Sequence, residues 1–213
     1  LGVDSIRIET NFSLTESLQN NNLASGVTNQ DVAAVSQLFP DSNIGLFKLF
    51  NDEAIYINGE TAVVDVLLVN SGWFVSEKVS VTHGRAFGPH DYDNFNQVCL
   101  IGNGLTRQLN ISNVINWKGN SCEIVGGLAE KSKTLIDGSE LSKIDINRSI
   151  VYPIDQYYPV LEHISGITLN LNSSDIFEIK KAASQIDDLM KKTHRVIDYS
   201  ILLPATLIEK MEQ

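Results

Sequence analysis

The chain has 213 residues and a formal net charge of −10, with 43% apolar and 20% charged residues. This length permits one domain or two small ones, and the balanced composition excludes a disordered chain and a coiled coil. The negative charge repels phosphate backbones, which excludes nucleic acid as a partner. No apolar run approaches the roughly 20 residues that a membrane-spanning helix needs, so we expect none within this sequence.

The first element is a strand, because Ser5 to Glu9 alternates polar and apolar residues. A helix follows: Thr28 and Asp31 approximate a capping box, and Pro40 stops the helix. An Asn- and Ser-rich loop over Asn11 to Asn22 separates the two elements.

Two or three strands are expected between Ile44 and Val69. Asn51-Asp52 and Asn58-Gly59 are the turn signals that divide this segment, and Asn-Gly between apolar runs is typical of a tight hairpin. The first third is therefore predicted to be a β-α-β-β unit.

The last third repeats this logic as a second β-α-β unit. A strand, a helix with an apolar stripe of helical period, a closing strand and the start of another helix are predicted in turn. Their ranges are Ile164–Leu171, Asp175–His194 (capped by Ser173 or Ser174), Tyr199–Leu203 and Leu207–Gln213.

The two units flank a strand-rich middle region whose predicted helix is Asn103 to Leu109. The fold class is therefore α+β, with the β-α-β units sharing one sheet and both helices on one face, as in ferredoxin-like folds. Residues 1–72 and 160–213 form one lobe, and residues 73–159 form an inserted β-rich lobe.

Cys99 and Cys122 both lie in apolar strand-like runs. Neighbouring strands could bring them within bonding distance, and a disulfide would then indicate an oxidising compartment. Two buried free thiols are the alternative that we favour.

The best candidate for a metal site is the group His83, His90, Asp91 and Asp93. All four are metal-ligand types, but their spacing matches no zinc pattern, and the run lacks the glycine and glutamate of a calcium loop. We therefore predict no metal site, and expect Asp91 to bind turn amides or to pair with Arg85.

No catalytic or cofactor-binding residue can be assigned. The sequence has no Gly-x-Ser-x-Gly elbow and no Walker motif. Gly102-Asn103-Gly104 lacks the third glycine and the acidic residue of a dinucleotide fingerprint, so it predicts a sharp strand-to-helix turn instead. We expect a protein that is not an enzyme and holds no cofactor.

The late helix is basic in an otherwise acidic chain. Cations near a helix C-terminus interact favourably with its dipole, which predicts a solvated face; a docking surface for an acidic partner is the alternative. The residues concerned are Lys180, Lys181, Lys191, Lys192, His194 and Arg195.

One stretch is specific enough to resemble a known family. A Gly-Arg turn, an acidic residue, a strand that enters a helix, and a later Ile-Val-Gly-Gly strand occur in the order found in the periplasmic domain of MacB-type (MacB/FtsX-like) bacterial ABC-transporter permeases. Trp73 and Phe74 precede the stretch. The motif residues are Gly84, Arg85, Phe87, Asp91, Gly102, Gly126 and Gly127.

The resemblance implies a domain looped out between two membrane helices, which would have been cut away at Leu1 and Gln213. It implies a porter-like lobe (1–72 and 160–213), a β-rich insertion, and no active site in this domain. A cytoplasmic ATPase domain would drive motion that this domain transmits on the periplasmic side. The implied partners are a membrane-fusion adaptor and an outer-membrane channel, or lipoprotein-handling proteins, with the full permease a homodimer. The alternative is a stand-alone secreted binding or hydrolytic domain using the His83 to Asp93 group.

Overall fold

The structure is a computed structural model, and it describes residues 4–11, 25–93, 97–131, 135–136, 140–141, 144–154, 161 and 163–204. The elements form a mixed α+β fold in which strands dominate. Within the described ranges, no helix is both long and apolar enough to pass through a bilayer. The expected helix over Leu207–Gln213 lies outside the described residues.

Twelve strands and four α-helices make up the described part of the chain. The strands are β1 (Ser5–Thr10), β2 (Asn43–Ile57), β3 (Glu60–Val69), β4 (Val81–Gly84), β5 (Val98–Ile101), β6 (Val114–Trp117), β7 (Asn120–Leu128), β8 (Leu135–Ile136), β9 (Glu140–Leu141), β10 (Ser149–Pro153), β11 (Gly166–Asn170) and β12 (Tyr199–Leu202). The helices are α1 (Asn29–Leu38), α2 (Ser71–Glu77), α3 (Pro89–Asp93) and α4 (Ile176–Thr193).

One large sheet runs through the molecule in the order β12-β1-β11-β2-β3-β10-β5-β7-β4, with β6 pairing to β2 and β7. At its first end, β11 lies between β1 and β2, and β1 lies between β11 and β12. Both β-α-β units therefore share one sheet, as the sequence predicts, and their strands interleave in it. β8 and β9 form a separate pair.

The hairpin of β2 and β3 contains one predicted turn, and the other prediction is wrong. Asn58 and Gly59 both have positive φ and join Ile57 to Glu60 in a tight turn. Asn51-Asp52 is instead a bulge within β2, between Phe50 and Glu53. Asp52 takes a φ of 52° and its amide donates to the Asp65 carboxylate, so the extra residues are absorbed without reversing the chain.

Helices α1 and α4 contact each other and cover one face of the sheet at its first end. Thr28 and Asp31 form the predicted capping box of α1. The cap of α4 is Asp175, whose side chain accepts from the Phe177 amide, and not Ser173 or Ser174 as predicted. Buried apolar residues of both helices and the strands form the core beneath them, among them Ile6, Ile8, Val35, Ile179, Ile186 and Met190.

Helix α2 was not predicted, and it covers the opposite face of β2 and β11. Its cap is Asn70, whose side chain accepts from the Trp73 amide. Trp73 is fully buried in a second apolar cluster with Phe47 and Leu67. Asn is one of the residues preferred at a helix N-cap, so Asn70 before Ser71 is the local signal for this helix.

The middle region departs from prediction at its helix. A 3₁₀ turn over Asn103–Leu105 replaces the expected helix from Asn103 to Leu109. Its first turn has no side-chain cap, and Gly102 backs closely onto the Ile146 carbonyl, which fixes a sharp turn there.

Cys99 and Cys122 form a disulfide with Cα atoms 5.8 Å apart. The favoured interpretation of two free thiols is therefore wrong. Parallel pairing of β5 and β7 sets Cys99 opposite Ile124. Cys122 precedes Ile124 by two residues, so both thiols lie on the same face of the sheet.

The sheet crosses the predicted boundary between the lobes. β3, which precedes the boundary, pairs in parallel with β10, which lies within residues 73–159. The larger apolar core likewise contains Ile6 from one predicted lobe and Ile115 from the other. The division into a lobe of residues 1–72 and 160–213 and an inserted lobe of residues 73–159 stays a prediction.

Candidate functional site

The Gly84–Asp91 turn leaves the edge of the sheet after β4. Gly84 has a φ of 70°, which favours glycine, and the Arg85 amide donates to the Val125 carbonyl of β7 at 3.0 Å. The turn is thereby fixed against the neighbouring strand before it enters α3.

Arg85 and Asp91 form the ion pair that the sequence predicts. Two guanidinium nitrogens donate to the two carboxylate oxygens, at 2.5 and 3.1 Å, and the Gly88 amide donates to Asp91 Oδ2 at 2.7 Å. The hydrogen bond that Arg85 donates to Asp91 raises the pKa of Arg85, although partial burial opposes this. The Arg85 side chain is 52% exposed and that of Asp91 only 4%. The pair holds the turn closed with one face open to solvent.

Glycines let the backbone of the turn approach β7. A Cβ at Gly126 would lie 2.4 Å from the Arg85 carbonyl oxygen, and one at Gly84 would lie 2.3 Å from the Val125 carbonyl oxygen. A Cβ at Gly102 would lie 2.0 Å from the Ile146 carbonyl oxygen, so this glycine serves a second close approach. A Cβ at Gly127 would make only ordinary van der Waals contacts, the nearest being a Thr106 methyl at 3.6 Å.

Phe87 anchors the turn through aromatic contacts. Its ring packs edge-on against Phe74 of α2 and Tyr92 of α3, with centroids 6.0 and 5.8 Å apart. Such pairs contribute beyond their buried area. Phe87 therefore joins the turn to the helix that covers the sheet.

The candidate metal group is not assembled around Asp91. His83 and His90 are exposed, and His83 Nδ1 lies 3.0 Å from the Thr82 hydroxyl. Asp91 is occupied by Arg85 and Gly88. The side chain of Asp93 lies outside the described residues. Across the residues that the structure describes, no three His, Cys, Asp or Glu side chains are placed to hold a metal ion.

A buried charge cluster at the β12-β1-β11 end of the sheet was not predicted from the sequence. Arg7 of β1 is 1% exposed; its Nε and one terminal nitrogen donate to Glu77 Oε1, and the other donates to Glu9. Lys131 Nζ lies 3.5 Å from Glu77 Oε2 and donates to the Glu77 carbonyl. The cluster joins β1 to the end of α2 and to the chain after β7.

Burial opposes ionisation of Glu77, but Arg7 and Lys131 overcome it and lower the pKa of Glu77 to about 2. The signal in the sequence is Arg7 itself, which stands between apolar residues of a strand. An arginine there is expected to point to solvent unless a helix covers that face, and α2 was not predicted.

Lys131 continues the polar contacts towards the 3₁₀ turn after β5. Its amide donates to the Asn147 side chain, whose own amide donates back to the Lys131 carbonyl. Asn147 in turn lies against Gly102 and Gly104. Hydrogen bonds thus connect Arg7 in the first strand with the surroundings of the Gly102 motif residue.

The basic late helix contains one residue that does not belong to a solvated face. His194 has only 4% of its side chain exposed and bonds two carboxylates, those of Asp31 and Asp198. Its inclusion in an exposed basic face is therefore wrong. Lys191 is exposed and pairs with Asp187 one turn earlier.

Comparison with known proteins gives the context for these features. Residues 4–188 match the family described as the MacB-like periplasmic core domain. No curated protein matches the sequence significantly.

Two solved structures share the fold. The periplasmic region of MacB from Actinobacillus actinomycetemcomitans is 12% identical with a TM-score of 0.71, over 100% of this chain and 94% of that one. The extracellular domain of the noncanonic ABC-type transporter YknZ from Gram-positive bacteria is 16% identical with a TM-score of 0.67, over 92% of this chain and 98% of that one.

At these identities the structural matches establish the fold, whereas the family match spans most of the sequence. The chain therefore belongs to the family of MacB-like periplasmic core domains, the extracytoplasmic domains of MacB-type ABC transporter permeases.

Proposed function

We propose that this domain transmits ATP-driven motion of the membrane helices to partners or cargo outside the cytoplasmic membrane. Strand β2 carries this proposal. It begins at Asn43, beside Asn170 at the end where β1 starts, and reaches Tyr56, which pairs with Asn116 of β6. A strand of 15 residues is about 45 Å long at a rise of about 3.3 Å per residue.

Strand β1 starts and strand β12 ends at the same side of the sheet, measured along the strands. β1 and β12 are antiparallel neighbours, so Leu202 at the end of β12 lies beside Arg7 near the start of β1. Two membrane helices attached on either side would therefore push on adjacent strands. In this proposal, β2 conveys the displacement from that end to the β6–β7 hairpin.

Partners are proposed on the same basis. A membrane-fusion adaptor with an outer-membrane channel, or a lipoprotein-handling protein, would dock on the part of the domain remote from β1 and β12. The full permease would act as a homodimer on the periplasmic side of the inner membrane, with ATP hydrolysis in a separate cytoplasmic domain. The Cys99–Cys122 disulfide fits an oxidising compartment.

The test of motion uses spin labels in the full-length permease. Glu60, at the β2–β3 turn, and Lys180, in the second turn of α4, are both exposed. We expect the distance between equivalent labels in the two copies to change on ATP binding, and to change more at position 60 than at position 180. Unchanged distances at both positions would contradict the transmission of motion.

Docking is tested separately with the isolated domain. Surface plasmon resonance should show saturable binding of the isolated domain to the adaptor encoded beside the permease gene. Where the neighbouring gene encodes a lipoprotein carrier instead, the domain should bind that carrier. If the domain moves on ATP binding but binds neither partner, the proposal of transmitted motion stands and the docking proposal is contradicted.

A further inference from the structure

His194 joins two buried carboxylates at the end of α4. Its Nδ1 lies 2.6 Å from Asp198 Oδ1, and its Nε2 lies 3.1 Å from Asp31 Oδ1. The side chains of Asp31 and Asp198 are 3% and 1% exposed. We call these three residues the His194 clasp.

With both carboxylates ionised, this geometry requires a charged imidazole. An ionised carboxylate oxygen only accepts, so both ring nitrogens must carry a proton to bond both partners. The hydrogen bond that His194 donates to Asp31 raises the pKa of His194; burial opposes the shift and Asp198 adds to it. Burial works against ionisation of Asp31, yet the bonds from His194 and Thr28 lower its pKa.

The clasp also binds backbone groups of Asn11, Ser25 and Gly26. Asp198 Oδ2 accepts from the amides of Ser25 and Gly26, each at 2.8 Å, and the Asp198 carbonyl accepts from the Asn11 amide. Asp31 caps α1 through the amide and hydroxyl of Thr28. One ring thus links the start of α1, the end of α4 and the chain on both sides of residues 12–24.

Further described polar groups near the ring lie on α4 and β12. On α4, the Thr193 hydroxyl lies 3.4 Å from Asp31 Oδ1, and Lys191 is bound by Asp187. On β12, the Tyr199 ring packs edge-on against His194, and its hydroxyl donates to Asp187. Burial raises the pKa of Tyr199 to about 12, so this phenol stays neutral while His194 titrates.

We propose that the His194 clasp is a latch that alkaline pH releases, freeing Ser25 and Gly26 from Asp198. A neutral imidazole carries no charge and donates only once. Both buried carboxylates then lose their shared cation, one of them also loses its hydrogen bond from the ring, and their two negative charges repel. Because the folded-state pKa is raised, the latch is fully formed below the ordinary histidine value of about 6.5 and is lost as pH rises through the higher folded value.

The test is a pH titration by solution NMR on the ¹⁵N-labelled chain. We expect His194 to titrate above the ordinary value. Across the same range, the exchange protection of the Ser25 and Gly26 amides should fall about tenfold or more, since each loses a charge-assisted hydrogen bond. Gly88 is the internal control, because its amide binds a carboxylate held by Arg85, which keeps its charge.

Two variants separate the latch from general loosening. His194→Gln should lower the protection of both amides at every pH and remove its pH dependence, whereas His163→Gln, at an exposed histidine, should change neither. If His194→Gln does not fold, the wild-type titration still decides. A His194 that titrates at or below the ordinary value, or Ser25 and Gly26 protection that ignores pH, would overturn the proposal.

Discussion

The two ends of the large sheet are held by different chemistry. At the end formed by β12, β1 and β11, buried charges join segments far apart in sequence, as Arg7 does with Glu77. At the end formed by β5, β7 and β4, a disulfide and close glycine contacts join strands from one short stretch of chain. Segments distant in sequence are thus aligned by hydrogen-bonded ion pairs, whereas neighbouring strands are fixed by a covalent bond and by backbone packing.

Each end contains an arginine–carboxylate pair, and the two pairs differ in exposure. The side chains of Arg7 and Glu77 are both 2% exposed, whereas Arg85 is 52% exposed beside a buried Asp91. A buried pair costs desolvation and must be matched on both sides, while an exposed one contributes little. Removing the buried pair should therefore lower the free energy of unfolding more than removing the exposed pair.

The largest effect is expected for Arg7→Met. The change leaves the buried Glu77 carboxylate without its main cation, which should lower the free energy of unfolding by about 3 to 5 kcal/mol. Urea unfolding followed by circular dichroism measures it. The double variant Arg7→Met/Glu77→Gln should recover part of the loss, because no buried charge is left behind. A loss below about 1 kcal/mol in the single variant would show that the pair does not stabilise this end of the sheet substantially.

The disulfide should rank next. Replacing Cys99 and Cys122 together with alanine removes a cross-link between residues 23 apart in sequence, at an expected cost of about 3 kcal/mol. The measurement is the urea midpoint of this variant against the oxidised chain. Reducing the wild type with a thiol should produce a similar shift. An unchanged midpoint in both cases would mean that strand pairing alone holds the second end.

Local signals in the sequence predicted the local structure. The Thr28–Asp31 capping box, the Asn58-Gly59 turn and the Arg85–Asp91 pair each depend on residues within a few positions of one another. Their geometry follows from short-range hydrogen bonding, which a single sequence displays directly.

Features that depend on distant packing were not predictable in this way. Arg7 resembles an exposed strand residue until α2 is known to cover its face, and Glu77 lies 70 positions away. His194 resembles a cation at a helix end until the fold brings Asp31 beside it. The disulfide depended on the register of β5 against β7, which apolar runs do not specify.

Gly126 and Gly127 offer a matched test of the second end. Alanine at Gly126 would place a Cβ 2.4 Å from the Arg85 carbonyl oxygen, a backbone atom that cannot move aside. We expect Gly126→Ala to destabilise the fold by about 1 to 3 kcal/mol, as overpacking does. Gly127→Ala meets only ordinary contacts and should stay within about 0.5 kcal/mol of wild type. If the two variants lower the thermal midpoint equally, the close approach of the turn to β7 is not the reason that glycine is required at position 126.

Among the changes that remove a native interaction, Arg85→Ala should have the smallest effect. The Arg85 side chain is 52% exposed, so the ion pair contributes about 0.2 to 1 kcal/mol, and Asp91 keeps the Gly88 amide as a donor. Because the bond is largely screened, added salt should shrink the difference from wild type, whereas the Arg7→Met deficit should persist in salt. Urea midpoints at low and high salt measure both. A loss of 3 kcal/mol or more for Arg85→Ala, insensitive to salt, would make the two pairs equivalent and remove exposure as the reason that the two ends differ.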